Sequence, residues 1–469
     1  MTLGCGGCEA PVDRGGEGRE DRGDTADGGG VDLDVASEGD LALDAEIDLD
    51  AAPDDTLLSD DLPISEDAPV SDDTPVSDDA SPDPDPGPRF PFGAHRGRPI
   101  ADALRVGLPQ EELDRETAAF YEIWKARYLA PGCAEGELRV RSAPATEAFT
   151  VSEGQGYGML IAVMMEGYDP DARATFDGLY RYARAHPSNI TPGLMAWAQD
   201  ARCRDIDGAD AATDGDLDIA YALLKANRQW GSDGAIDYAA EGQAMIRAIL
   251  EAEIHPANSV LLGDWVGRGT QWYTGTRTSD LMTGHFAAFG AATGEARWGE
   301  VADRAYRIVE HLQAEHAPGT GLVPDFVVDA TTDRPAPAPA DWREGRHDGH
   351  YGWNACRVPW RLGMHALFGG DARAQRAVSV LTRWFREETG DRPGRLRSGY
   401  RLDGRAFGEG PSMAFTAPLA LAAMVPGESD QAWLDALWAA IAAAPAEEYF
   451  GDSIKMLVMI VVSNNGWSP

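Results

Sequence analysis

The chain has 469 residues, with 78 Asp and Glu against 40 Lys and Arg and a formal net charge of −38. An acid excess of this size makes nucleic acid and anionic membrane surfaces poor partners, because both repel it. No apolar run reaches the length of a membrane span; the strongest, MLVMIVV at 456–462, reads as a buried helix segment.

Residues 1–90 carry 27 Asp and Glu against 4 Lys and Arg, with almost no aromatic side chain. Such a segment cannot bury enough apolar surface to offset its ordering entropy. Its imperfect repeat APVSDDTPVSDDASPDPDPGP reads as an extended, self-repelling tether. The expected organisation is a disordered acidic tether over 1–88 and one folded body over 89–469. The opening MTLGCGGC suits the processed end of a lipoprotein, with a lipid on Cys5 or Cys8, although no basic start followed by an apolar signal stretch is evident. An extracellular or cell-surface monomer is expected. Cys133 and Cys203 could pair, which sequence alone does not decide.

From about Glu116 a 3.6-residue period dominates. Phe120, Ile123, Trp124 and Tyr128 share a face, as do Phe176, Leu179, Tyr180 and Ala183. Ile219, Ala222, Leu223, Ala226 and Trp230 repeat the pattern, and so do Val301, Ala305, Ile308 and Leu312. Further helical windows fall at 239–254, 372–387, 413–424 and 431–444. Between them run long loops at 189–215, 255–280, 318–360 and 388–412, rich in Gly, Pro, Asp and aromatics. Period-two alternation is scarce and no 34–45-residue repeat is visible, so ten or more helices point to an all-α toroid rather than a four-helix bundle or a solenoid.

Three stretches carry chemistry. In SEGQGYGMLIAVMM, Glu153 stands where a Gly-rich segment enters an apolar helix, at an entrance lined by Tyr157. The helix dipole alone could account for an acid there; an aromatic setting could equally keep it protonated as a general acid. In ATDGDLDIAYALLKANRQW, Asp214, Asp216 and Asp218 alternate just ahead of an amphipathic helix. A calcium loop fails on spacing, since Ile219 and Lys225 stand where the EF-hand needs Gly and Glu. Helix capping accounts for one of the three acids, leaving two for solvent, a cation or sugar hydroxyls. The third stretch is HYGWNACRVPW, where an amide and a guanidinium lie among aromatics. Trp265, Trp272, Tyr273, Trp342, Tyr351, Trp353 and Trp360 fall in loops, where indole faces suit pyranose rings. His285, His350 and His365 show no metal-ligand spacing, and neither metal nor cofactor is expected.

SEGQGYGM, the ATDGD stretch and YFGDSIKMLVM together resemble glycoside hydrolase family 8. FYEIWKARYL, LMAWAQD, LLGDW, TRTSDLMTGHFAAF and NACRVPWRLGM look like further segments of that family, in its order, across about residues 90–469. The resemblance implies an (α/α)6 barrel with a substrate groove across one end, and an inverting endo-glycanase with Glu153 as general acid. Asp214 would hold and distort the sugar at the cleavage point, Trp197 would stack on a sugar, and Arg357 would lie beside the base. Asp216, Tyr157, Asn354, Trp353 and Trp265 would also line the substrate.

In many family members the residue three before that arginine is the aspartate base. Here it is Asn354, and an amide cannot accept the proton. A second branch, with lichenases, chitosanases and some endoglucanases, carries asparagine there and takes its base from a preceding loop. The candidates in this chain are Asp325, Asp329, Asp333, Asp341, Glu344 and Asp348. Glu344 aligns best and is favoured over Asp348, with Arg343 and Arg346 expected to keep it ionised. The expected substrate is a β-glucan polysaccharide, cellulose-like or mixed-linkage. A chitosanase and a catalytically silent polysaccharide-binding toroid are the alternatives; a lyase or transferase toroid lacks its calcium loop or acidic prenyl motif.

Overall fold

Twelve α-helices are found among the described residues of the computed structural model, which are 89–143 and 148–469. In chain order they are α1 (Gln110–Tyr128), α2 (Ser152–Met164), α3 (Ala172–Ala185), α4 (Thr213–Trp230), α5 (Tyr238–Ala252), α6 (Thr283–Thr293), α7 (Arg297–His311), α8 (Val358–Met364), α9 (Ala372–Thr389), α10 (Met413–Ala423), α11 (Gln431–Ala443) and α12 (Tyr449–Ile460). The expected tether, Cys5 and Cys8 lie outside the described residues.

The helices alternate in kind. In α2 every residue but Glu153 is buried, in α10 every residue, and in α12 every residue but Phe450. A helix apolar all round must lie inside. By contrast α3, α7 and α9 bury one stripe, such as Phe176, Leu179, Tyr180 and Ala183 on α3. The even-numbered helices touch in a closed order, α2 to α4, α4 to α6, α6 to α8, α8 to α10, α10 to α12 and α12 back to α2. Each odd-numbered helix packs outside an even one, which makes the (α/α)6 barrel.

Local chemistry sets the ends. Asp371 accepts from the N–H groups of Arg373 and Ala374 to start α9, and Gly390 at φ 61° stops it. Ile123 departs from its expected buried face and is 44% exposed. Leu113, Thr117, Phe120, Tyr121, Trp124 and Tyr128 define the stripe on α1, and Ile123 falls off its edge.

Three long loops, 189–215, 255–280 and 318–360, are more ordered than their composition suggests. Strand Thr150–Val151 pairs antiparallel with Ala198–Gln199, and Phe326–Val328 lies between Thr276–Arg277 and Ala336–Pro337 in a three-stranded sheet. A second apolar cluster of Leu261, Leu262, Val266, Phe326, Ala338 and Trp342 packs the loops 255–280 and 318–360 together.

Cys133 and Cys203 form a disulfide across 70 residues of sequence. Closing a loop of that length restricts the unfolded chain, so Cys133→Ser should lower stability by about 2–4 kcal/mol. Urea unfolding of the oxidised protein and the variant, followed by tryptophan fluorescence, measures the difference.

Candidate active site

Glycines bring α2 and α4 together. A Cβ on Gly215 would fall 2.3 Å from Ser152 Oγ, and one on Gly156 would fall 2.7 Å from the Asp218 Cβ. The contact sets the first turns of both helices side by side, and with them Glu153 and Asp214. Asn354 and Arg357 precede α8, Arg277 and Asp280 precede α6, and Tyr449 begins α12. The site therefore collects at the amino ends of the inner helices, where the helix dipoles favour carboxylates.

Arg357 is the hub. Its Nη1 donates to Glu153 Oε2 at 2.5 Å and to Asp214 Oδ2 at 3.0 Å, while Nη2 donates to Asn354 Oδ1 at 2.8 Å. Asn354 Nδ2 in turn donates to Glu344 Oε2 at 2.9 Å. Tyr449 OH donates to Glu153 Oε1 at 2.9 Å. Arg277 Nη2 meets Asp214 Oδ1 at 2.9 Å, and its Nε lies 3.0 Å from both oxygens of Asp280. Glu153 and Glu344 are thus joined in series through a guanidinium and a carboxamide, and they do not touch.

Electrostatics separates the two carboxyls of α2 and α4. Burial raises the Glu153 pKa, and the Asp214 charge adds to it against the pull of Arg357. Burial also works against Asp214, but Arg277 and Arg357 outweigh it and hold that carboxyl below its ordinary value. One group is biased to stay protonated and the other to stay ionised, the arrangement an acid-catalysed bond cleavage needs.

The acids of the ATDGD stretch lie inside the first turns of α4, not ahead of it, and none caps the helix, whose N-cap is Ala212. Two residues turn a helix by about 200°, so Asp214 and Asp216 face opposite ways. Asp216 is fully buried, accepts from Met195 N at 3.0 Å and faces Glu253, so the expectation that it lines the substrate is corrected. Asp218 is held by Arg361 at 2.8 and 2.5 Å and by His285 Nε2 at 2.9 Å. Arginines and a histidine, in place of solvent or a cation, satisfy Asp214 and Asp218.

Tyr157 is fully buried behind Arg357, its hydroxyl accepting from Nη1 at 3.3 Å, so it supports the guanidinium and does not present a ring to substrate. Trp197 is half-buried, with Nε1 donating to the Asp207 carbonyl at 3.4 Å. The Trp265 ring is half-buried, with the Arg343 guanidinium 4.7 Å from its centre. Trp353 is 44% exposed, set edge-on against Phe415. Trp342, Tyr351 and Trp360 are buried, and Trp360 lies within α8, so these three are core plugs rather than loop platforms.

Among the base candidates, Asp329, Asp333 and Asp341 are exposed, and Asp348 is buried with its carboxylate taken by the backbone N–H groups of Arg343, Glu344 and Gly345. Asp325 is buried against the 352–355 turn. Glu344 is exposed yet bonded to Asn354. Arg346 Nε meets His347 Nε2 at 2.9 Å, so the two expected flanking cations turn to an imidazole and an indole. Burial opposes the charge on Arg277, but Asp214, Asp280 and, least of the three, Glu344 outweigh it. Arg277, Tyr449 and Asp280 escaped the sequence reading. The first and third stand in TRTSD and the second in YFGD, polar residues within the motif segments, which was the available signal.

Behind the site, Asp216 and Glu253 form a buried carboxyl pair, with Asp264, Asp214, Asp280 and Thr213 facing it. Burial, then the neighbouring acids, raises both pKa values well above the ordinary range. The folded state therefore binds protons more tightly than the unfolded chain: the stability is fully present below the unfolded pKa near 4 and is lost as pH rises toward the folded values. Glu253→Gln removes one of the two ionisations. Its Tm relative to the parent protein should rise steadily between about pH 5 and 9, measured by calorimetry; a pH-independent difference would contradict the pairing.

A family model described as "Glycosyl hydrolases family 8" matches residues 113–464. A β-glucanase of Niallia circulans is 41% identical over 383 residues, which cover 81% of this chain and 92% of that protein. An endoglucanase of Bacillus sp. (strain KSM-330) is 37% identical, covering 77% and 78% of the two chains. Among solved structures, the β-1,3-1,4-glucanase from Paenibacillus sp. X4 superposes with a TM-score of 0.77 at 39% identity, covering 82% of this chain and all of that one.

Proposed function

The chain belongs to glycoside hydrolase family 8, and from that premise we propose that it is an inverting endo-β-glucanase cleaving β-1,4 bonds in cellulose-like or mixed-linkage glucan. Glu153 donates its proton to the glycosidic oxygen as the bond to the anomeric carbon breaks. Glu344 takes a proton from a water that attacks that carbon from the opposite face, and the product has inverted configuration. Inversion needs room for the water between two carboxyls about 6.5–9.5 Å apart. The observation that carries the reading is the series Glu153–Arg357–Asn354–Glu344, which spaces the carboxyls by two planar groups and aims the second. Against the silent-toroid alternative stands Glu344, bonded to Asn354 and able to serve as base where the aspartate is missing.

Asp214, kept ionised, accepts from the sugar hydroxyls at the cleavage point, and Trp353 and Trp197 offer ring faces. Two guanidiniums beside Asp214 favour a neutral glucan over chitosan, whose ammonium groups they would repel. The relatives named β-glucanase and endoglucanase support the same choice. The test is product release from mixed-linkage β-glucan, carboxymethylcellulose, chitosan and xylan, with proton NMR of the first product. Glucan cleavage with initial release of the α-anomer is expected; release of the β-anomer would refute inversion, and a preference for chitosan would refute the substrate. We also propose a monomer acting outside the cell; the location is supported by the Cys133–Cys203 disulfide, which persists in oxidising compartments.

A further inference from the structure

Asp325 sits just before strand Phe326–Val328 and is fixed at both ends of its peptide. Its N–H donates to the His350 carbonyl at 2.8 Å and its carbonyl accepts from Thr278 N at 3.0 Å. Its side chain reaches into the turn that carries Asn354. One oxygen, Oδ1, accepts from Gly352 N at 3.0 Å, Asn354 N at 3.0 Å and Ala355 N at 2.6 Å. The approach is close: a Cβ on Gly352 would fall 2.4 Å from Asp325 Oδ2. Only a residue without a side chain leaves space there.

The turn so gathered leads into α8 and sets the backbone from which the Asn354 side chain projects. That carboxamide has two tasks at once, donating to Glu344 and accepting from Arg357. Its direction is therefore decided by the backbone at 354, and the backbone at 354 by Asp325.

We infer that Asp325 is a positioning residue for the reaction: by collecting three backbone N–H groups of the 352–355 turn it aims the Asn354 amide, and through it the carboxylate of Glu344. The inference rests on the reading of Glu344 as base. The role is one of acceptance at a fixed place, not of charge. Burial pushes the Asp325 carboxyl up to about 8, with Glu344 adding to the rise and the three N–H groups opposing it. A neutral group thus serves at neutral pH, and an amide of the same shape can present its oxygen to the same three donors.

The experiment compares Asp325→Ala, Asp325→Asn and Glu344→Gln on mixed-linkage β-glucan at pH 6.5, with kcat and KM separated and folding followed by circular dichroism. Misplacing a reacting group by about 1 Å costs roughly 100-fold in rate. Asp325→Ala is expected to lose about that factor in kcat with KM changed less than about threefold, and Asp325→Asn to keep kcat within about fivefold of the parent. A purely structural Asp325 would lower Tm and the folded fraction in Asp325→Ala but leave kcat per folded molecule unchanged, and that result overturns the inference. So does a loss in Asp325→Asn as large as in Asp325→Ala. If Asp325→Ala does not fold, Asp325→Glu, which shifts the acceptor by one methylene, must show the same loss in kcat alone. Glu344→Gln separates the two layers: an active Glu344→Gln removes the base assignment itself, whereas an inactive one beside an unimpaired Asp325→Ala removes only the positioning role.

Discussion

Glu153→Gln is expected to lower kcat on β-glucan by about 10²- to 10⁴-fold, the range for losing a general acid from a step that needs one. Glutamine keeps the shape and an oxygen for Arg357 Nη1, so the loss reflects the proton and not the collapse of the cluster. Two features make the result specific. An aryl β-glycoside with a good leaving group needs no protonation, so the same variant should lose far less on it; equal losses on both substrates would remove Glu153 from the acid role. The second feature is the pH profile. The acid must be protonated to act, so activity falls as pH rises through its pKa, and burial, which raises that pKa, extends the active range upward. In Glu153→Gln the alkaline fall of kcat/KM should disappear.

The outer helices were legible because a single buried stripe leaves a 3.6-residue period in the sequence, as with Val301, Ala305 and Ile308 on α7. Among the inner helices α4 keeps a period in Ile219, Ala222, Leu223, Ala226 and Trp230, but others leave little to read. In α2 and α10 both faces are buried, and only motif resemblance or apolar length marks them. At the site, Glu153, Asp214 and Arg357 were legible through their motifs and meet in the structure. Asp216 differs from expectation because two residues along a helix turn it away from Asp214, whereas Tyr157, on the same face of α2 as Glu153, lies buried behind Arg357. Arg277 and Tyr449 come from segments about 120 and 300 residues away from Glu153, and no local pattern announces a partner at that separation. Asp325 and Asp348 show the limit most plainly. As sequence they are carboxylates in an insertion, equal in kind to Glu344, and what sets them apart is that backbone N–H groups already bond Oδ1 of Asp325 and both oxygens of Asp348.

Glu344→Gln should lower turnover to a similar degree, about 10²- to 10⁴-fold, while substrate binding persists, because Gln can still accept from Asn354 Nδ2 but cannot take the proton of water. Near-parental activity would return the base to an unidentified group. The same geometry predicts what happens when the aspartate of the other family branch is restored. In Asn354→Asp two carboxylates face each other where a 2.9 Å hydrogen bond now stands, and like charges at that distance raise one pKa. The base must be ionised to act, so activity exists above its pKa, and the acidic limb of kcat/KM should move to higher pH with the alkaline limb unchanged. In the double variant Glu344→Gln, Asn354→Asp the repulsion is gone and Arg357 Nη2 still supports position 354. If the attacking water lies within reach of both positions, the double variant should recover at least about tenfold over Glu344→Gln. No recovery would mean that the water is placed by the loop of Glu344 alone, and that the asparagine branch has moved the nucleophile together with its base.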